Sequence, residues 1–235
     1  MRNQLEQPLS DFELKKRKYF SNFALHYKSK LAMHRRYGVL AKSEGWRNVS
    51  EHCLLEAVES DVLAEVLKLS EEDRSKLVIA ALLHDFYKKK EIEALKKEGL
   101  EGQRKSEEER SRILADAGFD DAIIRIIKSA TYVPRMLDKD VTELEKIMQY
   151  VDDITMGSSI GSVDERVDKV EADPRYREEN ESGQEIFGDK TFSQAQRYFG
   201  HQIEAELTKK IGLDNPRDLP KFIEEEIRKR IEAGK

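Results

Sequence analysis

Seven apolar residues run without a break from Leu77 to Leu83, and the next two residues are His84 and Asp85. Asp, Glu, Lys and Arg make up 38% of this chain, and no other stretch of it is as hydrophobic. A helix that is apolar all round must be covered on every side. This segment is therefore expected at the centre of a core, with the remaining elements packed around it. The imidazole and carboxylate at its end need a reason to be there. Burying ionisable groups is costly unless they are paired or bound to a metal, and a metal ion is the reason that fits best.

Around this segment almost everything reads as helix. Ser10-Asp11-Phe12-Glu13 has the form of a capping box opening a basic amphipathic helix that runs to about Leu31 and on toward Leu40. Asn48-Val49-Ser50-Glu51 opens a second helix, with Leu55, Val58, Val62, Leu63 and Val66 at three-to-four spacing. Ser70 to Asp73 opens the apolar helix itself. The charged segment from Lys88 to Glu109, with Gly99 and Gly102 inside it, reads as short helices or a mobile surface loop. Helices over Ser111–Ala117, Asp120–Ala130 and Val141–Met156 follow, with Pro134 ending the second. Gly157-Ser158-Ser159-Ile160-Gly161 suggests a boundary. Beyond it come a helix capped by Ser162 and Glu165, a turn-rich piece, and helices over Thr191–Ile211 and Leu219–Ile231. No alternating β pattern and no hairpin dipeptide stands out. The expectation is an all-α fold, with residues 1–160 as a metal-binding helical domain and 161–235 as a helical extension packed on it.

Composition narrows the function. Lys and Arg number 42 against 47 Asp and Glu, a net charge of −5, which argues against general nucleic-acid binding through a basic face. The single cysteine, Cys53, excludes an internal disulfide and suits a reducing compartment. Met1 to Ser10 carries no apolar signal core, and no run approaches the ~20 apolar residues of a membrane span. The chain reads as soluble and cytoplasmic, with a homodimer left open.

The candidate ligands lie on three helices: His52, the pair His84-Asp85, and Asp152. Imidazole nitrogen and carboxylate oxygen suit Mn, Fe, Co, Ni or Zn. Adjacent helical residues point about 100° apart, so the pair can share an ion only if it sits off the helix flank. Gly157 to Gly161 also fits the Gly-x-Ser-x-Gly pattern of serine hydrolases, but that motif needs a strand before it, so a loop is the better reading. Cys53 reads as packing, and His26, His34 and His201 show no clustering. Trp46 is open between lining a pocket and simple packing.

The order His … His-Asp … Asp on consecutive helices resembles the HD superfamily of metal-dependent phosphohydrolases, and its nucleotidase-like branch in particular. Val49-Ser50-Glu51-His52, Leu82-Leu83-His84-Asp85 and Tyr150-Val151-Asp152-Asp153-Ile154 are similar to its first, naming and last motifs. The resemblance covers roughly Lys30 to Gly157. It implies a helical bundle holding one divalent ion (Mn, Co, Ni, Fe, Mg or Zn) on His52, His84, Asp85 and Asp152, and hydrolysis of a phosphate ester, most often a nucleotide. No histidine lies between His84 and His201, so a single metal is expected rather than a pair, which also counts against an iron oxygenase. The acidic residue that nucleotidase-like members place three after the Asp of the pair is here Lys88. A lysine there suits phosphate binding, as in cyclic-dinucleotide phosphodiesterase members. The missing acid or base then falls to Asp85 itself, Glu56, Asp153 or Glu93. Arg36-Tyr37 is similar to an arginine–aromatic pair that binds substrate upstream of the first motif. Arg166, Arg175 and Tyr176, just beyond the last motif, stand close enough in sequence to close over the site. The alternative is a non-catalytic module that binds a nucleotide or partner through a structural metal.

Overall fold

The computed structural model describes residues 9–40, 47–131, 133–174 and 177–234. Its centre is α4 (Glu71–Leu83), capped by Ser70, whose Oγ accepts from the Asp73 amide at 3.1 Å. Leu77, Val78 and every residue from Ala80 to Leu83 are buried. The helices around it are α2 (Lys28–Arg36), α3 (Arg47–Val66), α6 (Asp121–Thr131) and α7 (Glu143–Ile154), with α3 making the most extensive contact. Alanines 57, 64, 80 and 81 are all buried in this core. The α7 start is a complete capping box: Thr142 Oγ1 accepts from the Glu145 amide, and Glu145 accepts from the Thr142 amide.

The N-terminal stretch departs from the single helix expected. α1 (Asp11–His26) ends at Tyr27, where φ is −99° and ψ is 22°, and α2 restarts one residue later. The break lets Phe20, Phe23, Tyr27 and Leu31 all reach the core. Helix α3 begins at Arg47 rather than after Asn48, so His52 sits in its second turn.

The charged segment after Lys88 takes the first of its two expected forms, short helices, but they are not wholly at the surface. Its residues from Lys88 to Asp116 are helical, interrupted at Gly99 with φ 63° and ψ −152°. A straight helix would set Glu91 and Arg110 about 28 Å apart, yet they form an ion pair of 2.9 Å. The two arms of this element, α5, therefore fold back on each other. A Cβ on Gly102 would lie 2.4 Å from the Ala94 carbonyl oxygen, so the arms touch backbone to backbone there. Composition hid this, because only one arginine and one glutamate of a highly charged stretch turn inward.

After α7 a two-residue hairpin, β1 (Thr155–Met156) against β2 (Ser159–Ile160), is the one strand pairing among the described residues. Gly157 turns it at φ 69°. The Gly-x-Ser-x-Gly stretch is this hairpin turn, with Ser159 Oγ donating to the Met156 carbonyl at 3.1 Å. Then follow α8 (Val163–Glu171), α9 (Arg177–Ser182), α10 (Gln184–Phe187), α11 (Phe192–Ile211) and α12 (Leu219–Ala233). α11 packs on α7 and α8, and α12 on α3 and α1. Leu219, Ile223, Ile227 and Ile231, at a spacing of four, form the buried face of α12. Asp61 of α3 receives Arg74 of α4 at 2.6 Å and Arg230 of α12 at 2.8 Å, fastening the three helices. Residues on both sides of position 160 belong to one apolar cluster, from Tyr19 to Ile231. No described helix is long and apolar enough to cross a membrane.

Candidate metal centre

α4 stops at Leu83, so His84 and Asp85 lie in a turn rather than inside the helix. His84 keeps helical dihedrals, φ −59° and ψ −36°, and Asp85 Oδ2 comes within 3.8 Å of its Nε2. The turn is held from several sides. Arg110 Nη1 donates to the His84 carbonyl at 3.0 Å. Phe86 and Tyr87 are buried against Tyr37, with ring centroids 5.1 and 5.2 Å away. The Lys88 amide donates to the Asp85 carbonyl at 3.1 Å as α5 begins.

The hydrogen bonds of His84 fix its tautomer. Its Nδ1 lies 2.9 Å from the Ala81 carbonyl oxygen and 3.0 Å from Glu56 Oε2, both acceptors, so Nδ1 carries the hydrogen. Nε2 is then left with a lone pair, and it is buried with no hydrogen-bond partner. It stands 3.8 Å from both Asp85 Oδ2 and Asp152 Oδ1. α3 contributes His52, whose Nε2 is 2.9 Å from Glu56 Oε1 and 3.3 Å from Asp152 Oδ1. His52, Glu56, His84 and Asp152 each offer one donor atom, and all four atoms lie within 4.8 Å of one another.

The charges show what the cluster lacks. Burial works against a proton on His52, but the Glu56 carboxylate and the bond to Asp152 outweigh it and push the imidazole up to about 10. Burial also works against the Asp85 carboxylate, yet Lys88 and the two imidazoles hold it well below the usual carboxylate range. Asp152 is lowered in the same way against burial, by His52 and Arg166. Three carboxylates converge and draw positive charge onto whatever can carry it. A divalent cation meets that demand while leaving the imidazoles neutral, and the uncommitted lone pair of His84 is the donor such an ion needs. The residues fit a divalent metal.

The flanks are cationic. Lys88 Nζ is 3.3 Å from Asp85 Oδ1, and Arg166 Nη2 is 3.6 Å from Asp152 Oδ1. Other residues singled out in the sequence lie elsewhere. Asp153 points away from the cluster, accepting from Gln149 Nε2 at 2.9 Å and Gln196 Nε2 at 2.6 Å, and burial pushes it up to about 8. Arg36 is exposed, with its guanidinium over the Tyr37 ring. Glu93 is exposed and pairs with Lys90 at 2.9 Å. Cys53 is buried 3.8 Å from His84 Nδ1, and burial pushes its thiol up, which keeps it protonated. Trp46, Arg175 and Tyr176 lie outside the described residues.

Several groups around the site escaped the sequence. His34 is fully buried, bonded to Ser50 Oγ at 2.9 Å and to the Leu82 carbonyl at 2.5 Å, and so braces the end of α4. Glu59 is buried one turn after Glu56 and accepts from Thr155 Oγ1 at 2.8 Å. His201 is not isolated either: its Nε2 is 3.1 Å from Asp164 Oδ1. The available signal was that Glu56 and Glu59 fall on an otherwise apolar face of α3.

The all-helical bundle thus ends its central helix in a buried histidine–carboxylate cluster that could hold a divalent metal. The family model of the HD domain matches residues 49–157, the stretch that contains His52, His84, Asp85 and Asp152. Residues 49–157 are thus similar to an HD domain. HD domains are in general metal-dependent phosphohydrolases, and the match and the cluster together point to that class of activity. No curated protein and no solved structure matches the chain.

Proposed function

We propose that this protein is a cytoplasmic divalent-metal-dependent phosphohydrolase that acts on a phosphate ester, most consistently a nucleotide. The observation that carries the reading is the orphaned Nε2 of His84, buried and facing Asp85 and Asp152. His52, His84, Asp85 and Asp152 would hold the ion. Glu56 is fully buried between the two imidazoles and 3.0 Å from His84 Nδ1, which suits orienting the histidines better than exchanging protons with a substrate.

A bound divalent ion supplies Lewis acidity toward water and phosphoryl oxygen. The chain's own groups supply the rest. Asp85 stays ionised beside Lys88 and can accept a proton from the attacking water. Lys88, half-buried at the mouth of the cluster, places an ammonium where a phosphate oxygen would gain negative charge. Asp153, turned toward α11, is better placed to hold α7 against that helix. Tyr37 packs directly on Phe86 and Tyr87, next to the His-Asp turn, with Arg36 over its ring. The contact of Tyr37 with the two residues that follow Asp85, and the guanidinium over its ring, are what support a nucleotide as substrate.

The test is metal content of the purified protein, then phosphate release with Mn, Co, Ni or Mg from nucleoside mono-, di- and triphosphates and cyclic dinucleotides. One metal per chain with turnover of one class is expected. One metal without turnover would favour a binding module with a structural metal, for which the ion pair that already engages Asp85 with Lys88 is the supporting observation. No metal under excess would overturn both readings.

A further inference from the structure

The HD domain match ends at residue 157, but the charge that borders Asp152 comes from beyond it. The chain is led back by the hairpin after α7. The Gly161 amide donates to the Ile154 carbonyl at 2.7 Å, so α8 starts alongside the C-terminal end of α7. A Cβ on Gly161 would meet Met156 Cε at 2.7 Å, which shows how tightly this return is made. The first turn of α8 is fixed by a capping box between Ser162 and Glu165. Its buried residues Val163 and Val167 are pressed by α11, where a Cβ on Gly200 would lie 2.7 Å from Val163 Cγ1. Arg166 stands three residues after Val163 and one before Val167, so this packing aims it at Asp152.

The guanidinium is not spent there. Its Nη2 lies 3.6 Å from Asp152 Oδ1, beyond hydrogen-bond length. Its Nε is buried and has no hydrogen-bond partner. Other inward-facing arginines, Arg110 with its own unbonded Nε included, come closer to a carboxylate. Arg74 meets Asp61 at 2.6 Å, Arg110 meets Glu91 at 2.9 Å, Arg135 meets Glu145 at 2.6 Å and Arg230 meets Asp61 at 2.8 Å. An uncommitted buried donor is costly to keep, and the carboxylates of Asp152, Glu56, Asp153 and Asp85 favour its charge without bonding its Nε. Lys88 flanks the cluster at Asp85 and Arg166 flanks it at Asp152. A guanidinium presents a planar fork that matches two oxygens of a phosphate.

We propose that Arg166 is a phosphate-binding residue of this site, donating to the non-bridging oxygens of the substrate phosphoryl group. The inference rests on the phosphohydrolase reading and deepens it: residues 49–157 alone lack half of the phosphate subsite, and α8 supplies it.

The experiment uses the full chain loaded with Mn2+ and inorganic phosphate as probe, with two calorimetric titrations: Mn2+ into the metal-free protein, and phosphate into the loaded protein. Arg166→Ala should weaken phosphate binding about 10- to 100-fold, the range expected for hydrogen bonds to a charged group, and Arg166→Lys should recover part of it. Removing a cation beside Asp152 should leave Mn2+ affinity unchanged or tighter. A residue that merely positions Asp152 predicts the opposite sign, so Mn2+ binding that weakens together with phosphate binding would overturn the proposal. So would wild-type phosphate affinity in the variants. If Arg166→Ala does not fold, Arg166→Gln and Arg166→Lys carry the same comparison. A wild-type protein that takes up Mn2+ but no phosphate would instead defeat the phosphohydrolase reading itself, and the role of Arg166 with it.

Discussion

Replacing Arg110 by methionine tests how the metal cluster is held. Arg110 is 1% exposed and Glu91 8% exposed, and their 2.9 Å pair closes the two arms of α5 onto each other. The same guanidinium donates to the His84 carbonyl at 3.0 Å. Methionine keeps much of the side-chain volume but leaves the Glu91 carboxylate buried without its counter-charge. Breaking a buried pair from one side costs about 3–5 kcal/mol, and the His84 carbonyl that loses its donor adds about 1 kcal/mol. For a chain of this size the 3–5 kcal/mol loss alone corresponds to roughly 6–20 °C in Tm. Urea unfolding monitored by circular dichroism measures it. The double variant Arg110→Met with Glu91→Leu should recover most of the loss, because two apolar groups need no compensation. Metal affinity should behave differently. The His84-Asp85 turn has lost its backbone anchor in both variants, so Mn2+ binding should weaken by about 10-fold or more in each. A single variant that costs less than about 1 kcal/mol, or a double variant no more stable than the single, would refute the claim that this pair is buried and coupled.

His84→Ala and Asp152→Ala should each abolish metal binding; full occupancy in either, measured by elemental analysis, would sink the ligand assignment. Lys88→Ala should lower phosphate-ester turnover more than Mn2+ affinity, and unchanged kinetics would reduce Lys88 to a counter-ion of Asp85. His34 gives a pH signature. Burial lowers it from 6.5 to about 4, so below pH 6.5 the unfolded chain takes up a proton that the folded chain refuses. Its contribution is intact above pH 6.5 and declines as the pH falls toward 4, by roughly 3 kcal/mol in all. His34→Gln should flatten that part of the stability profile, and identical slopes would remove His34 as the cause. Truncation after Ile160 should leave no cooperative unfolding transition, because α11 and α12 cover faces of α7 and α3. A soluble, cooperatively folding fragment would make 161–235 an independent extension.

Much of the helical frame was legible in the sequence because its rules are local. Caps depend on residues three apart, and Ser162 with Glu165 forms the box such spacing allows. The apolar run ending in His84-Asp85 announced both the core and the buried chemistry at its edge. Joining His52 to Asp152 needed the resemblance to a family, since they meet at 3.3 Å across a separation of 100 residues. The errors fell where local rules are silent. The charged stretch from Lys88 to Glu109 reads as short helices or a mobile surface loop, and no local spacing reveals that Arg110 turns inward to meet Glu91.

By itself the sequence determined an all-α chain, its central helix, the order of the metal-type residues and the lysine that replaces an acid at position 88. Only the tertiary structure decided that Glu56 is enclosed between two imidazoles, that Asp153 faces away from its neighbour Asp152, and that Arg166 arrives from α8 with an unbonded Nε. The reason is directional. Periodicity says which side of a helix is apolar, but the partner of a polar group on that helix is set by the angle at which another helix crosses it, and that angle follows from the packing of side chains remote in the chain.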